Sequence, residues 1–524
     1  MKITLIRPPK LVVSGSIGTG ASVSSSSQPT APLGIALIAA MIASEGHEIL
    51  VIDGTAENPS SVNDVQISLS KSKLSKGLGF QTFGLSPQEV LDRIPVDTDV
   101  IGFSCMFTHN WLADRELINF LASKLPKATF IAGGESITGM AEICLKQIPA
   151  LKVCVLGEGE ETIVELLNSF KEGTSLDSVN GIMYKSDAGD FIKTEKRKRI
   201  RQLDDLPLPA WDLLPVDNYE KQGRFSGDVP RVSLPILSTR GCPYTCTFCT
   251  SPDMWGTRYF MRSPKHVADE MEMMKSKYNV TNFEFYDLTA IVQRKWIIEL
   301  SKIIIERKLD IYWRIPSGTR SEAIDGEVAF FLLNSGCYTI TYAPESGSHR
   351  LLELIHKKVY LPTMLKSMKA AAGQGMKLYI NMIQGLPQEN HSDIWKTLWF
   401  LVQCAKVGVD ELSLGTFRPY PGTVLFNELV NSKKINLDND DYFLETLLTI
   451  ETEESFYNEN VHPSFYRFYN KLMLFVFYTS VYIFRPKKFV KALVNISNNT
   501  SDSRFERTVL FYINQTKQKM AAIF

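Results

Sequence analysis

The chain has 524 residues, with 57 lysines and arginines against 57 aspartates and glutamates. That length predicts about three domains, and the balanced charge leaves no electrostatic footprint for a nucleic-acid partner. The longest apolar run, Leu472 to Phe484, is thirteen residues and too short to span a bilayer.

The opening segment breaks at Pro8-Pro9, too early for a signal peptide, which predicts a cytoplasmic protein. Residues 1–172 alternate short β runs with amphipathic helices, the pattern of a doubly wound, Rossmann-like α/β domain. Its strands are expected at Lys2–Ile6, Glu48–Ile52, Val100–Phe103, Thr129–Ala132 and Val153–Leu156. A helix opening at Pro32-Leu33-Gly34 stops at Gly46, and a last one runs to Phe170. Glycines fall at the carboxyl ends of successive strands, where backbone approaches a ligand closely. No Gly-x-Gly-x-x-Gly follows the first strand, which disfavours a nicotinamide or flavin dinucleotide.

Residues 173–231 read as a linker. It holds a hairpin of Ile182–Tyr184 with Asp190–Lys193, a basic run Lys196-Arg197-Lys198-Arg199 read as a solvated face, and a proline-stiffened stretch Leu206-Pro207-Leu208-Pro209-Ala210-Trp211-Asp212. From Val232 to residue 428, strand and helix alternate again. Strands are expected near Pro235–Ser238, Asn282–Tyr286, Ile311–Ile315, Thr339–Ala343, Leu378–Ile383 and Leu412–Phe417, as in a partial (β/α)6 TIM-type barrel with its chemistry at the carboxyl ends. Residues 429–524 are helical and aromatic-rich; Leu472–Phe484 reads as a buried helix, or alternatively as a lid or membrane-surface element for a large apolar substrate.

Of eight cysteines, Cys105, Cys144, Cys154, Cys337 and Cys404 stand alone in apolar surroundings and read as buried free thiols. Nothing suggests a disulfide framework. The other three lie in Gly241-Cys242-Pro243-Tyr244-Thr245-Cys246-Thr247-Phe248-Cys249, with no fourth cysteine nearby. A structural zinc site or an electron-transfer cluster normally takes four protein ligands, whereas three thiolates on a cubane leave one iron open. A zinc set completed by a distant residue, or three plain core residues, are the alternatives. No second Cys-x-x-Cys or His-x-x-x-His is present to close a tetrahedron.

The Cys-x-x-x-Cys-x-x-Cys spacing, with Phe248 before the last cysteine, resembles the signature of radical S-adenosylmethionine enzymes. That resemblance implies a [4Fe-4S] cluster on Cys242, Cys246 and Cys249. The open iron would chelate S-adenosylmethionine, which an electron from the cluster cleaves to a 5'-deoxyadenosyl radical. Further implied contacts are Phe248 at the adenine edge, Asp287 of Tyr286-Asp287-Leu288-Thr289 at the methionine ammonium, Glu345 of Glu345-Ser346-Gly347 at the ribose, and Gly385 of Gly385-Leu386-Pro387-Gln388-Glu389 near the adenine. An N-cap role for Asp287 stays open. Arg320 is a possible carboxylate partner. The C-terminal region is expected to close over the barrel and shape the substrate pocket.

Arg7-Pro8-Pro9, Pro32-Leu33-Gly34, Gly46-His47-Glu48, Val51-Ile52-Asp53, Gly133-Gly134 and Leu156-Gly157-Glu158-Gly159-Glu160, together with the Leu-Pro-x-Pro-Ala-Trp-Asp joint, resemble the cobalamin-binding members of that family. This implies corrin contacts at Gly133, Gly134, Gly157 and Glu158. Two departures stand out: Asp53-Gly54-Thr55 lacks a cobalt-ligating histidine, and Ser136 stands where many relatives carry histidine. Ser136 is then the expected hydrogen-bonding residue, and His109 a conceivable lower ligand or an ordinary loop histidine.

The resemblance implies a methyltransferase acting on an unactivated carbon of a small molecule, with cobalamin carrying the methyl group and flavodoxin or ferredoxin supplying electrons. A tetrapyrrole-type oxidative cyclase and a non-catalytic iron-sulfur or metal-sensing protein are the alternatives. Methylthiotransferases of tRNA carry a second cysteine set and a basic tail, and the sequence reads as having neither.

Overall fold

The computed structural model describes residues 1–14, 30–219 except 71, 73, 75 and 76, 232–451 and 457–521. The end of the expected linker, 220–231, lies outside them.

The first sheet is built from β1 (Lys2–Arg7), β2 (Glu48–Asp53), β3 (Val100–Ser104), β4 (Thr129–Gly133), β5 (Leu151–Val155), β6 (Ile182–Lys185) and β7 (Phe191–Lys193). Their order is β7-β6-β5-β4-β3-β1-β2. The first five strands are parallel, and the expected hairpin β6–β7 extends the sheet antiparallel to β5. Chain order reverses between β1 and β3, the switch point where such sheets bind ligands beyond their carboxyl ends. A small antiparallel sheet of Lys10–Val13, Val62–Asp64 and Phe80–Phe83, not anticipated from the sequence, flanks this domain.

The second sheet has β8 (Ser233–Ile236), β9 (Asn282–Phe285), β10 (Tyr312–Gly318), β11 (Cys337–Glu345), β12 (Lys377–Gln384) and β13 (Glu411–Thr416), in sequential parallel order. No pairing joins β8 to β13 among the described residues, so this is an open barrel with two edges. Trp211 of the proline-rich joint is fully buried in one cluster that includes Leu5 and Val100 of the first sheet and Phe283 and Trp313 of the second. Shared burial of apolar surface thus fixes the two sheets together.

The C-terminal region divides in two. Helix Asp441–Glu451 packs on the N-terminal domain, where Tyr442, Phe443, Leu444 and Leu447 share a buried cluster with Trp111 and Leu112. Just ahead of it Asp440 takes a bidentate grip from buried Arg115, at 2.8 and 3.1 Å. Helix Pro463–Phe484 instead lies along the outside of the barrel against helix His391–Val407. Tyr478 donates to Glu411 of edge strand β13 at 3.0 Å. The residues from 463 on therefore cover a barrel edge, from the carboxyl-end turn after β12, where Tyr466 meets Glu389, to edge strand β13. Tyr466, Tyr469, Met473 and Phe477 are buried as expected of Leu472–Phe484 and its lead-in, whereas Phe475 and Ile483 point outward.

Candidate active site

The cysteine loop begins directly after β8 and the short strand Thr239–Arg240, at the carboxyl edge of the barrel. All three cysteines are free and half-buried. Their sulfurs do not close on a single metal ion among the described residues. A cubane asks for no such convergence, since each thiolate takes a different iron. Burial pushes all three thiols up, Cys249 to about 12, so metal must drive off their protons on binding. The surroundings are suited to the resulting negative charge. Lys357 is half-buried beside Cys246 and Cys249; desolvation alone would lower its pKa, but Glu345 and those thiols outweigh it and raise it. The Arg320 guanidinium covers the Tyr244 ring at 4.1 Å and adds a second cation near the cysteines. Sequence reasoning missed Lys357; its only signal was a lysine following the Glu-Ser-Gly helix.

Glu345 ends β11 with a left-handed backbone (φ 64°) and accepts from Lys357 Nζ at 2.7 Å. The neighbouring Ser346 and Ser348 turn away, bonding Thr397 and Asp393 of helix His391–Val407. Asp287 is fully buried, and its carboxylate accepts from the Ser238 amide at 3.2 Å, the Ser238 hydroxyl at 2.8 Å and the Thr239 hydroxyl. It holds the base of the cysteine loop. It caps no helix, since the next one starts at Arg294. Phe248 is half-buried against an apolar cluster that joins residues of the N-terminal domain to Leu351, Ile355 and Leu386 of the barrel.

Gly385 has φ 80°, and its amide donates to Glu389 at 2.7 Å, closing the turn after β12. Tyr466 of the C-terminal helix donates to the same carboxylate at 3.0 Å. Burial raises Glu389 to about 7. A carboxyl raised on folding favours the native state below its ordinary pKa, and this benefit is lost as pH rises through the folded value. Stability is therefore expected to fall between about pH 4.5 and pH 7 through this group, and Glu389→Gln, which keeps both acceptor contacts, to flatten that slope in denaturant titrations across pH.

In the N-terminal domain an open cavity of about 850 Å³, counting its mouth, lies at the β1/β3 switch point. Gly133, Gly134, Gly157 and Glu158 all line it, with Phe103, Met106, Ile131 and Val155. A Cβ on Gly102 would sit 2.7 Å from Leu5, and one on Gly134 (φ 116°) 2.6 Å from the Cys105 carbonyl oxygen. The chain's own packing therefore closes both positions to a side chain, whereas a Cβ on Gly34, also on the cavity wall, would meet nothing within 4 Å. Gly134→Ala is expected to cost about 1–3 kcal/mol and to weaken corrin uptake, read by thermal melting and visible-absorbance titration.

Ser136 is not on that wall: it is buried, its hydroxyl 3.2 Å from Thr108. His109 stacks on Phe107 at 5.4 Å, and its Nδ1 lacks a hydrogen-bond partner among the described residues. Burial, with Lys10 and Arg418, lowers its pKa to about 3, so the ring is neutral.

The cavity's remaining wall comes from the barrel. Met254 and Trp255, in the short helix Ser251–Trp255 that directly follows Cys249, line it. Arg240, immediately before the cysteine loop, is buried between Glu158 at 3.1 Å and Glu160. Arg199 adds a second cation to Glu158 and Arg197 bonds Glu165, and both side chains are about nine-tenths buried, so the basic run is a solvated face only at Lys196 and Lys198, which are exposed.

The Radical SAM superfamily matches residues 236–401 and the B12 binding domain matches residues 83–167. The chain thus carries a B12-binding domain followed by a radical S-adenosylmethionine domain. The cofactors that go with its two domains are a [4Fe-4S] cluster, S-adenosylmethionine and cobalamin. An uncharacterised methyltransferase of Pyrococcus horikoshii is 28% identical over 428 residues, covering 81% of this chain and 82% of that one. The anaerobic magnesium-protoporphyrin IX monomethyl ester cyclase of Rubrivivax gelatinosus is 25% identical over 352 residues, covering 66% and 61%. The radical S-adenosylmethionine methyltransferase TsrM from Kitasatospora setae, solved with cobalamin and a [4Fe-4S] cluster, shares the fold with TM-score 0.60 at 17% identity, over 82% of this chain and 78% of that one. The cavity of the B12-binding domain and the cysteine loop of the radical S-adenosylmethionine domain therefore adjoin at Met254 and Trp255. No helix among the described residues is long and apolar enough to cross a membrane.

Proposed function

We propose that the protein is a methyltransferase that moves a methyl group, by way of cobalamin, to an unactivated carbon of a small molecule, lipid or natural-product intermediate. The observation that carries this reading is the shared wall: Met254 and Trp255 bound the corrin cavity five and six residues after Cys249. When bound, the cluster supplies the electron that cleaves S-adenosylmethionine, and the corrin carries the methyl group. The chain's own residues do the positioning. The apolar lining of Phe103, Ile131 and Val155 excludes water beside the corrin. Glu345 is the ribose acceptor, held in place by Lys357, and Arg320 stands near enough to the cysteine loop to take the methionine carboxylate. Asp287 acts through Ser238 and Thr239 to hold the loop in place. Ser136 supports the cradle through Thr108.

Electrons come from flavodoxin or ferredoxin, and the protein works in the cytoplasm. Similarity to a cyclase keeps oxidative ring closure as the second reading. Turnover with deuteromethyl S-adenosylmethionine separates the two. Methyl transfer predicts labelled product, with S-adenosylhomocysteine and 5'-deoxyadenosine accumulating together; 5'-deoxyadenosine without S-adenosylhomocysteine would sink the methyltransferase reading.

A further inference from the structure

We propose that the outward faces of helices Pro463–Phe484 and Pro486–Ser497 dock the protein on an anionic lipid surface, lying in its interface without crossing it.

The second helix is amphipathic the wrong way round for a helix of a free protein surface. Ala492 is its buried contact, and Lys488 turns back to Asp410 of the barrel. Phe489, Val490, Leu493 and Val494 fall on one face by helical spacing, and all are about half exposed or more. The preceding helix repeats this design. Phe465, Phe468, Phe475 and Ile483 recur at three, seven and eight residues along one stripe, opposite the buried face of Tyr466, Met473 and Phe477. Its 22 residues make an apolar ridge about 33 Å long. Exposed Trp395 and Trp399 continue the ridge from the neighbouring helix, Trp395 lying 6.0 Å from the Tyr469 ring. Tyr482 meets Phe489 at 5.5 Å, so the two helices are joined through their aromatic residues.

Charge selects the occupant. Although the whole chain is neutral, residues 463–500 hold six lysines and arginines and no aspartate or glutamate. Arg467, Lys471 and Lys487 are exposed and flank the apolar stripes. A second copy of the same face would set cations against cations. Nucleic acid would meet phenylalanine, valine and isoleucine where it needs hydrogen-bond donors. Anionic headgroups complement the flanking cations while the acyl boundary takes the apolar ridge. The thirteen-residue apolar run is short for a span, as this orientation requires.

This inference is independent of methyl transfer and is tested without turnover. The full-length protein, loaded with cluster and cobalamin, is sedimented with vesicles of phosphatidylcholine alone or mixed with phosphatidylglycerol, at low and high salt. Binding is expected to the mixed vesicles, weakened by salt. Lys471→Glu with Lys487→Glu should weaken it at least about tenfold, and Phe475→Ser or Leu493→Ser should abolish it while circular dichroism and the loaded cofactors stay unchanged. No preference for anionic vesicles would overturn the proposal. So would self-association or RNA retention that the same substitutions remove while vesicles are ignored.

Discussion

Cys249→Ala is expected to bring reductive cleavage of S-adenosylmethionine to background while corrin uptake persists. With one thiolate gone the cubane loses a protein ligand on one corner, and the reconstituted protein should lose its iron-sulfur absorbance and paramagnetic signal. The corrin cavity draws its walls from β1, β3, β4 and β5 and, beyond the cluster loop, from Met254 and Trp255. Cys249 itself is not among them. Its amide closes a local turn onto Cys246, and alanine keeps that bond. Cobalamin binding by the variant should therefore stay within about twofold of the parent, the scale of a substitution that touches none of the cavity wall. Undiminished 5'-deoxyadenosine from the variant would remove the cluster assignment.

The second large effect is expected at Arg240. Its guanidinium is buried between Glu158 and Glu160, and it immediately precedes the glycine that opens the cysteine loop. Gly241 has φ 87° with the Arg258 carbonyl packed against it, so the loop has no slack at this point. Arg240→Met removes the cation, strands Glu160 in a low-dielectric junction and leaves Glu158 to Arg199 alone, a change that costs about 3–5 kcal/mol. Denaturant unfolding reads the loss. The variant should also load corrin and cluster less well together, because Glu158 lines the corrin cavity and Arg240 anchors the loop. A double variant, Arg240→Met with Glu160→Gln, is expected to recover part of the stability, since one stranded charge is neutralised. A stability change within about 0.5 kcal/mol for Arg240→Met would show the network to be incidental.

Most of the architecture was legible because local signals and global fold agree here. Alternating apolar runs bounded by glycine and proline located every strand of both main sheets, and the observed ends mostly differ by one or two residues. β10 runs further, to Gly318, through a register shift against β11 that no sequence pattern announces. The cysteine spacing and the strand-end glycines pointed to two neighbourhoods, the cysteine loop and the cavity that Gly133, Gly134, Gly157 and Glu158 line together, since a cofactor's demands on neighbouring residues are short-range. What stayed hidden depends on residues far apart in the chain. Lys357 acquires its place only when β11 folds beside the cysteine loop. Arg197 and Arg199 read as a charged run until Glu158 and Glu165 arrive from another element. Ser136 was placed by its position after Gly133-Gly134, but the helix starting at Glu135 turns its hydroxyl to Thr108. The aromatic C-terminal stretch showed its apolar content plainly. Which half packs inward, and that its earlier part grips the N-terminal domain through Arg115 and Asp440, follows only from tertiary contacts.

We propose that one chain holds a radical-generating cluster and a corrin on either side of a common wall. The most direct measurement is anaerobic reconstitution with iron and sulfide in the presence of hydroxocobalamin, followed by a strong reductant and S-adenosylmethionine. The account predicts one corrin retained per chain after desalting, a [4Fe-4S] signal that S-adenosylmethionine perturbs, and formation of 5'-deoxyadenosine. A desalted protein with neither bound corrin nor 5'-deoxyadenosine production would contradict it.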